Sequence, residues 1–363
     1  MIPAPNIKYQ IDINKYRKGK RINKGGFGTV YEAIDKATKK VYAAKIIDCG
    51  DNSEQCQKMI PREIDIMIRT KHPTIIKFYG YSLIDFHGEN NVTIIMEYAT
   101  NKSLKNVLEK IQGNDGPKNY TNTTRQIILL GVSRGMKYLH EINIIHRDLK
   151  PDNILLNDEF QPLITDFGFS KVFEPGHSFS QSQNCGTLTY TAPEILDNKK
   201  YDRKVDVYSF GITMFEVVTD SVTYPDLFNK KIKDYTFPDR VVNENYRPQF
   251  IYPIKQEFKD LIELCWSGDP NNRPSFNEIF NFLSKNFLED VDVEEVNNYI
   301  YDITANEKKI EPTKDESDKS KQSNKKDSIA KQTIKSSGTE KIPTTTSSSK
   351  KDKTSSPLNI DSI

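Results

Sequence analysis

The spacing of apolar side chains changes twice along this chain. From Tyr16 the pattern is strand-like and runs through Lys24-Gly25-Gly26-Phe27-Gly28-Thr29-Val30. Residues 41–47 alternate, so that Val41, Ala43, Lys45 and Ile47 share one face. The period then lengthens. Ile60, Ile64, Met67 and Ile68 recur at i, i+4, i+7 and i+8, which predicts a helix with Glu63 on its inward stripe. Pro61 predicts a first turn or a kink just ahead of that glutamate. A strand is expected over residues 92–96. Further on, Thr121-Asn122-Thr123 offers capping groups to a helix carrying Ile128, Val132, Met136 and Leu139 on one face. From Asp206 to Thr219 the chain is apolar almost all round, the pattern of a helix buried on every side. Helices are also expected over 254–266 and 276–287.

Strands first and helices after predict an α+β chain. A leader at 1–15 precedes a small β-rich lobe over 16–98 and a larger helical lobe over 99–288. An acidic run from Glu289 to Glu295 opens a helical extension over 289–304. No aromatic residue follows Tyr301, and 305–363 is Lys, Ser, Thr, Asp and Glu with little to bury. That segment is expected to be a disordered tail, a solvated tether open to regulatory contacts.

Composition narrows the class. The chain has 363 residues, 36% hydrophobic and 28% charged, enough for a packed core over most of its length. A net charge of +2 is too near balance to argue for nucleic acid. Four scattered cysteines lack metal-ligand pairing and read as reduced thiols. The opening MIPAPNIKYQ has neither a basic n-region nor an apolar h-region. No apolar run approaches the roughly 20 residues that span a bilayer. The expected compartment is cytoplasmic, with the nucleus as alternative.

The chemistry-bearing string is His146-Arg147-Asp148-Leu149-Lys150-Pro151-Asp152-Asn153, between a helix and the apolar runs 154–156 and 163–165. Asp166-Phe167-Gly168 follows, its aspartate eighteen positions beyond Asp148. Helix, loop and short strand pair would hold these polar side chains at a cleft floor. The string resembles the H-R-D…N catalytic loop of the eukaryotic protein kinases, and the triplet resembles their D-F-G. The resemblance implies a bilobal kinase fold that uses ATP and Mg²⁺. Asp148 would accept the proton of an attacking hydroxyl, Lys150 would meet the transferring phosphate, and Asn153 and Asp166 would ligate the metal. Phe167 would pack beneath the helix bearing Glu63.

Other stretches extend the likeness. Gly25, Phe27, Gly28 and Val30 match the glycine-rich loop, so Ile22, Asn23, Lys24 and Gly26 fall where the nucleotide is covered. Asn23 replaces the first glycine; asparagine tolerates positive φ better than most residues. Lys45 matches the lysine that holds the α- and β-phosphates, with Glu63 as its partner. Val30 and Ala43 would enclose the adenine, with Leu155 also in the site. Met96-Glu97-Tyr98-Ala99 matches the hinge: Met96 would narrow the pocket, while the Glu97 carbonyl and Ala99 N–H meet the adenine. Thr187 would bond towards Asp148 and Lys150, Glu194 would pair with Arg273, and Asp206 would anchor the loop backbone. Arg147 and Lys171 would face an activating phosphate, on Ser182 first and Ser180 second.

The function implied is phosphoryl transfer to serine or threonine of protein substrates, in signalling. Lys102-Ser103-Leu104 and Cys265-Trp266 look tyrosine-kinase-like, whereas the catalytic loop and Thr187 look serine/threonine-specific. The combination resembles the tyrosine-kinase-like group. A dual-specificity or tyrosine kinase is the alternative, and a pseudokinase scaffold a further one.

Overall fold

The computed structural model describes residues 6–25, 28–48, 54–172, 187–229 and 234–307. Strands β1 (Tyr16–Gly25), β2 (Gly28–Asp35) and β3 (Val41–Ile47) form an antiparallel meander. Helix α1 (Glu54–Arg69) follows, then β4 (Phe78–Ser82) and β5 (Val92–Met96), giving the sheet order β1-β2-β3-β5-β4. β5 is buried at all five positions. Such a strand reads as a continuous apolar run rather than an alternating one. β4 escapes the sequence pattern because Gly80 interrupts it. That glycine has φ +158°, and a Cβ there would lie 2.5 Å from Ile11 Cγ2.

Two expectations in this lobe need correction. α1 begins at Glu54, so Pro61 stands inside the helix rather than near its start. Pro61 is half-buried. The fully buried member near the end of α1 is Ile66, while Ile68 is only half-buried. The described part of the leader packs onto this lobe. Ile13 is buried, Tyr9 sets its ring 5.9 Å from Phe78, and the Ile11 N–H donates to the Tyr81 carbonyl at 2.9 Å.

The larger lobe starts with α2 (Leu104–Gln112), a helix the periodicity did not bring out, capped reciprocally by Ser103 and Asn106. α3 (Asn122–Glu141) is capped by Thr121 and buries Ile128, Val132, Met136 and Leu139. Short strands β6 (Ile144–Ile145), β7 (Ile154–Leu156), β8 (Pro162–Ile164) and β9 (Lys171–Val172) pair as β6 with β9 and β7 with β8. One-turn α4 (Pro193–Leu196) leads to α5 (Lys204–Thr219), buried at every position from Val205 to Val217. Beyond α6 (Pro225–Phe228) and α7 (Phe237–Asn243) come α8 (Gln256–Cys265) and α9 (Phe276–Leu283). α9 stops short of the expected residue 287 because Gln126 of α3 donates to the Leu283 and Asn286 carbonyls, at 2.8 and 3.1 Å.

α10 (Val293–Glu307) lies against α3 through Val296, Tyr299 and Ile303. Residues 305–307, expected in the tail, therefore belong to a helix; 308–363 lie outside the described residues. Any side chain at Gly131 of α3 would collide with the Tyr299 hydroxyl and Pro162, so glycine sets how closely α10 approaches. Among the described residues no helix is long and apolar enough to cross a membrane.

A buried ion pair closes the larger lobe. Arg273, 1% exposed, donates to Glu194 Oε1 at 2.7 Å and Oε2 at 2.8 Å in bidentate fashion. Removing one member strands a charge in the core. Arg273→Leu is expected to lower unfolding free energy by about 3–5 kcal/mol, read from the urea midpoint. Little or no change would mean that Glu194 finds another partner.

Candidate active site

Between the sheet and the helical lobe lies a cleft of about 360 Å³. β1 to β3 supply Ile22, Asn23, Val30 and Ala43; the end of β5 supplies Met96, followed by Glu97, Tyr98 and Ala99; Leu155 comes from β7. Lys45, Glu63, Met67, Asn153 and Asp166 complete the lining at the polar end. Lys24, Gly25 and Gly28 do not line it, and Gly26 and Phe27 fall outside the described residues. Gly28 is needed for another reason. At φ +137° a Cβ would collide with the Ile46 carbonyl oxygen. Asn23 does not use the left-handed region: it pairs with Val30 in the β1–β2 ladder, and its carboxamide oxygen accepts the Lys24 N–H at 2.8 Å.

At the inner end one cation serves two anions. Lys45 Nζ donates to Glu63 Oε1 at 2.7 Å and to Asp166 Oδ1 at 3.2 Å. Burial by itself would push the ammonium towards neutrality. Asp166 and Glu63 outweigh it and raise Lys45 above the ordinary lysine range. Burial also works against the Asp166 carboxylate, but Lys45 overcomes it and holds the group below its usual range. Glu63 is the member that burial pushes upward.

The loop after β6 is held from beneath. Asp206 Oδ2 accepts the His146 N–H at 2.9 Å, its Oδ1 accepts the Arg147 N–H at 2.7 Å, and His140 Nε2 lies 2.9 Å from Oδ2. Burial opposes this anion; the bond and charge from His140 prevail and keep the carboxyl below the ordinary range. Arg147 has φ +69° and Asp166 φ +66°, so both are left-handed, as is Lys102 at φ +62°. His146 Nδ1 accepts the Asp148 N–H at 3.3 Å, which leaves Nε2–H to donate to the Thr165 carbonyl at 3.0 Å. Its ring meets Phe167 edge-on at 5.5 Å.

Asp148 is the convergence point. It receives Lys150 Nζ at 3.1 and 2.9 Å, Asn153 Nδ2 at 2.8 Å and the Thr187 N–H at 3.3 Å. Lys150 Nζ also donates to Thr187 Oγ1 at 2.6 Å. Asn153 Nδ2 further donates to the Asp148 carbonyl at 2.7 Å, so its Oδ1 turns away from that residue. Asn153 Oδ1 and the Asp166 carboxylate are hard oxygen donors of the kind Mg²⁺ takes. Among the described residues no group of three or more His, Cys, Asp or Glu could hold a metal alone. Two protein oxygens fit a Mg²⁺ that completes its shell with phosphate and water.

The sequence reading missed the mouth of the cleft, where Lys105, Asn106 and Glu109 of α2 meet Lys102 before it and Asp152 of the loop. Ser103 with Asn106 three residues on, ahead of an apolar run, was the available signal. Arg147 donates to the Phe169 carbonyl at 3.1 Å with its guanidinium 5.5 Å from the Tyr201 ring, and Lys171 lies in β9 opposite Ile145. Ser178, Ser180 and Ser182 are outside the described residues.

A family profile described as protein kinase domain matches residues 16–283. A Dictyostelium discoideum protein named as a probable serine/threonine-protein kinase is 31% identical over 79% of this chain, which spans only 20% of that relative. An Aurora kinase of the same organism is 31% identical over 77% of this chain and 67% of its own length. A dual specificity protein kinase, also from Dictyostelium, is 30% identical over 75% of this chain and 40% of its own length.

Asp206→Asn is expected to set an amide donor against one of the two N–H groups it now accepts, destabilising the fold by about 1–3 kcal/mol. Because the folded carboxyl titrates below its unfolded value, the wild-type advantage is complete above the ordinary aspartate range. It is lost as pH falls through the lower folded value. Urea titrations of both chains down the acid limb check this; a pH-independent gap would contradict it.

Proposed function

Since this chain belongs to the protein kinase family, we propose that it transfers the γ-phosphoryl group of ATP to serine and threonine hydroxyls of protein substrates. The observation that carries this reading is the convergence of Lys150, Asn153 and Thr187 on Asp148, beside a cleft that Asn153 lines together with Lys45 and Asp166. The lining of Val30, Ala43, Met96 and Leu155 suits a flat heteroaromatic base. Glu97 carbonyl and Ala99 N–H are assigned its hydrogen bonds.

Lys45, held charged by two carboxylates, is assigned the α- and β-phosphates, and Glu63 fixes its direction. Asp148 takes the proton of the attacking hydroxyl, with Asn153 and the Thr187 N–H fixing its two oxygens. Lys150 bridges Asp148 and Thr187, where its ammonium can meet the phosphate in transit. Asn153 and Asp166 are assigned to Mg²⁺, which when bound neutralises phosphate charge. Most of the catalytic work is positioning and charge stabilisation, so rigid placement of these groups matters more than any one pKa. A cytoplasmic setting, with the nucleus as alternative, goes with this reading because ATP is an intracellular substrate. Lys102-Ser103-Leu104 and Cys265-Trp266 support assignment to the tyrosine-kinase-like group.

The Lys150–Thr187 bond at 2.6 Å supports serine/threonine preference over the dual-specificity reading, and that contact makes the choice testable. Labelled ATP, Mg²⁺ and a general protein substrate should yield phosphoserine and phosphothreonine on acid hydrolysis; phosphotyrosine as the main product would reverse the assignment. Asp148→Asn should bind ATP as before while turnover falls by about 10²-fold or more. If that variant stays near wild-type activity, Asp148 is not the proton acceptor.

A further inference from the structure

The near balance of charge along this chain hides a separation. Residues 6–48 hold eleven Lys and Arg against four Asp and Glu, and residues 308–363 hold thirteen against eight. Residues 49–307 are acidic, with 28 basic and 38 acidic side chains. The basic part of the small lobe has a defined face. Val30 and Lys45 are cross-strand partners that line the cleft, so Tyr31 and Ala44 next to them turn to the outer side of the sheet. Arg21 stands opposite Tyr31, Lys18 opposite Ala33 and Lys24 opposite Thr29, which puts these three cations on that outer side. A second, smaller core lies there too. Ala33, Ala44 and Ile95 of the sheet meet Ile13 of the leader, flanked by Tyr16, Tyr42 and Tyr79.

The tyrosines hold lysines over this face. Lys18 Nζ sits 4.1 Å from the Tyr31 ring centre, Lys40 Nζ 5.5 Å from that of Tyr42, and Lys77 Nζ 5.2 Å from that of Tyr79. Tyr42 meets Tyr16 and Tyr79 edge-on, its ring centre 5.7 and 4.9 Å from theirs. Nearby carboxylates are turned onto backbone instead. Asp35 accepts the Ala37 and Thr38 N–H groups, and Asp12 accepts that of Asn14. Lys36 and Lys39 add two exposed cations on the turn between β2 and β3.

We infer that the outer face of this sheet is a docking surface for an anionic lipid bilayer, held there by charge. Two observations favour a membrane over other polyanions. A single-stranded nucleic acid stacks its bases on bare aromatic faces, and here ammonium groups already cover Tyr31, Tyr42 and Tyr79. The second basic segment, 308–363, is attracted to the same plane from any position, because a bilayer presents anions over its whole area. The acidic residues of the larger lobe are repelled by that plane, so charge alone orients the chain with its small lobe towards the lipid. Such attachment is reversible and weakens as salt rises. Each cation near a phosphatidylserine surface strengthens partition about fivefold.

The test is co-sedimentation of the full chain with phosphatidylcholine vesicles, with and without about 30% phosphatidylserine. At about 0.1 M salt the wild type should bind only the anionic vesicles, and about 0.5 M salt should release it. Lys18→Gln, Arg21→Gln and Lys40→Gln together should weaken binding on the order of a hundredfold. Lys36→Gln, Lys39→Gln and Lys77→Gln form a second set on the same side and should weaken it comparably, so the result does not hang on one variant's stability. Lys199→Gln, Lys200→Gln and Lys285→Gln make an equal change of charge on the larger lobe and should leave binding near wild type. A Tm close to wild type identifies the variants that fold. No binding to anionic vesicles, no loss from either outer set, or equal losses from the outer and larger-lobe sets overturns the inference. So does an oligonucleotide, single- or double-stranded, that the wild type binds more tightly than the anionic vesicles.

Discussion

A reacting loop that contains a left-handed arginine needs something rigid to hold it, and here that is the Asp206 carboxylate. An L-residue in the left-handed conformation costs roughly 1–2 kcal/mol. Hydrogen bonds to a charged group contribute about 1.5–3 kcal/mol each. Asp206 accepts two of them, from His146 and Arg147, which is enough to hold Arg147 at φ +69°. The anion can be kept there because α5 is buried along its length and cannot turn the carboxylate to solvent. Ten residues on, about 15 Å along the same helix, Glu216 reaches the turn carrying Thr187. One buried helix thus sets the spacing between the loop holding Asp148 and the segment that crosses it.

The cleft shows a second kind of constraint. Lys45 stands on a central strand, Glu63 on a helix and Asp166 after β8, so three separately folded pieces meet at one ammonium. None of the three charges could be buried at this depth without the others. Without α1, Lys45 would keep only Asp166 as its partner.

Much of this was legible because the chemistry is written in contiguous strings. Asp148 and Asn153 sit five apart in one loop, and the inward placement of Lys45 and Glu63 followed from periods of two and 3.6. What escaped depends on contacts distant in sequence. β4 is broken by Gly80, whose bareness matters only because Ile11 lies over it. α9 ends where Gln126, from another helix, takes its carbonyls. Ile66 rather than Ile68 is the fully buried side chain because α1 is enclosed over more than one stripe. Pro61 was weighed by its local cost alone, yet the helix runs on both sides of it. α2 and the cleft mouth were missed together, since the helix places Lys105 and Asn106 beside Asp152.

The leader has a consequence for how copies of this protein meet. The sheet has two outer strands, β1 and β4, and each carries unpaired backbone groups that could recruit a strand from another molecule. On β4 the leader fills part of that row, through the Ile11 N–H to Tyr81 and the Gln10–Tyr81 bridge. On β1 the deterrent is charge, since Arg17, Lys18, Lys20, Arg21 and Lys24 lie along a strand of ten residues. Two such strands approaching each other would set cation against cation. Edge-to-edge stacking into fibres is thereby opposed by a cover on one side and by repulsion on the other.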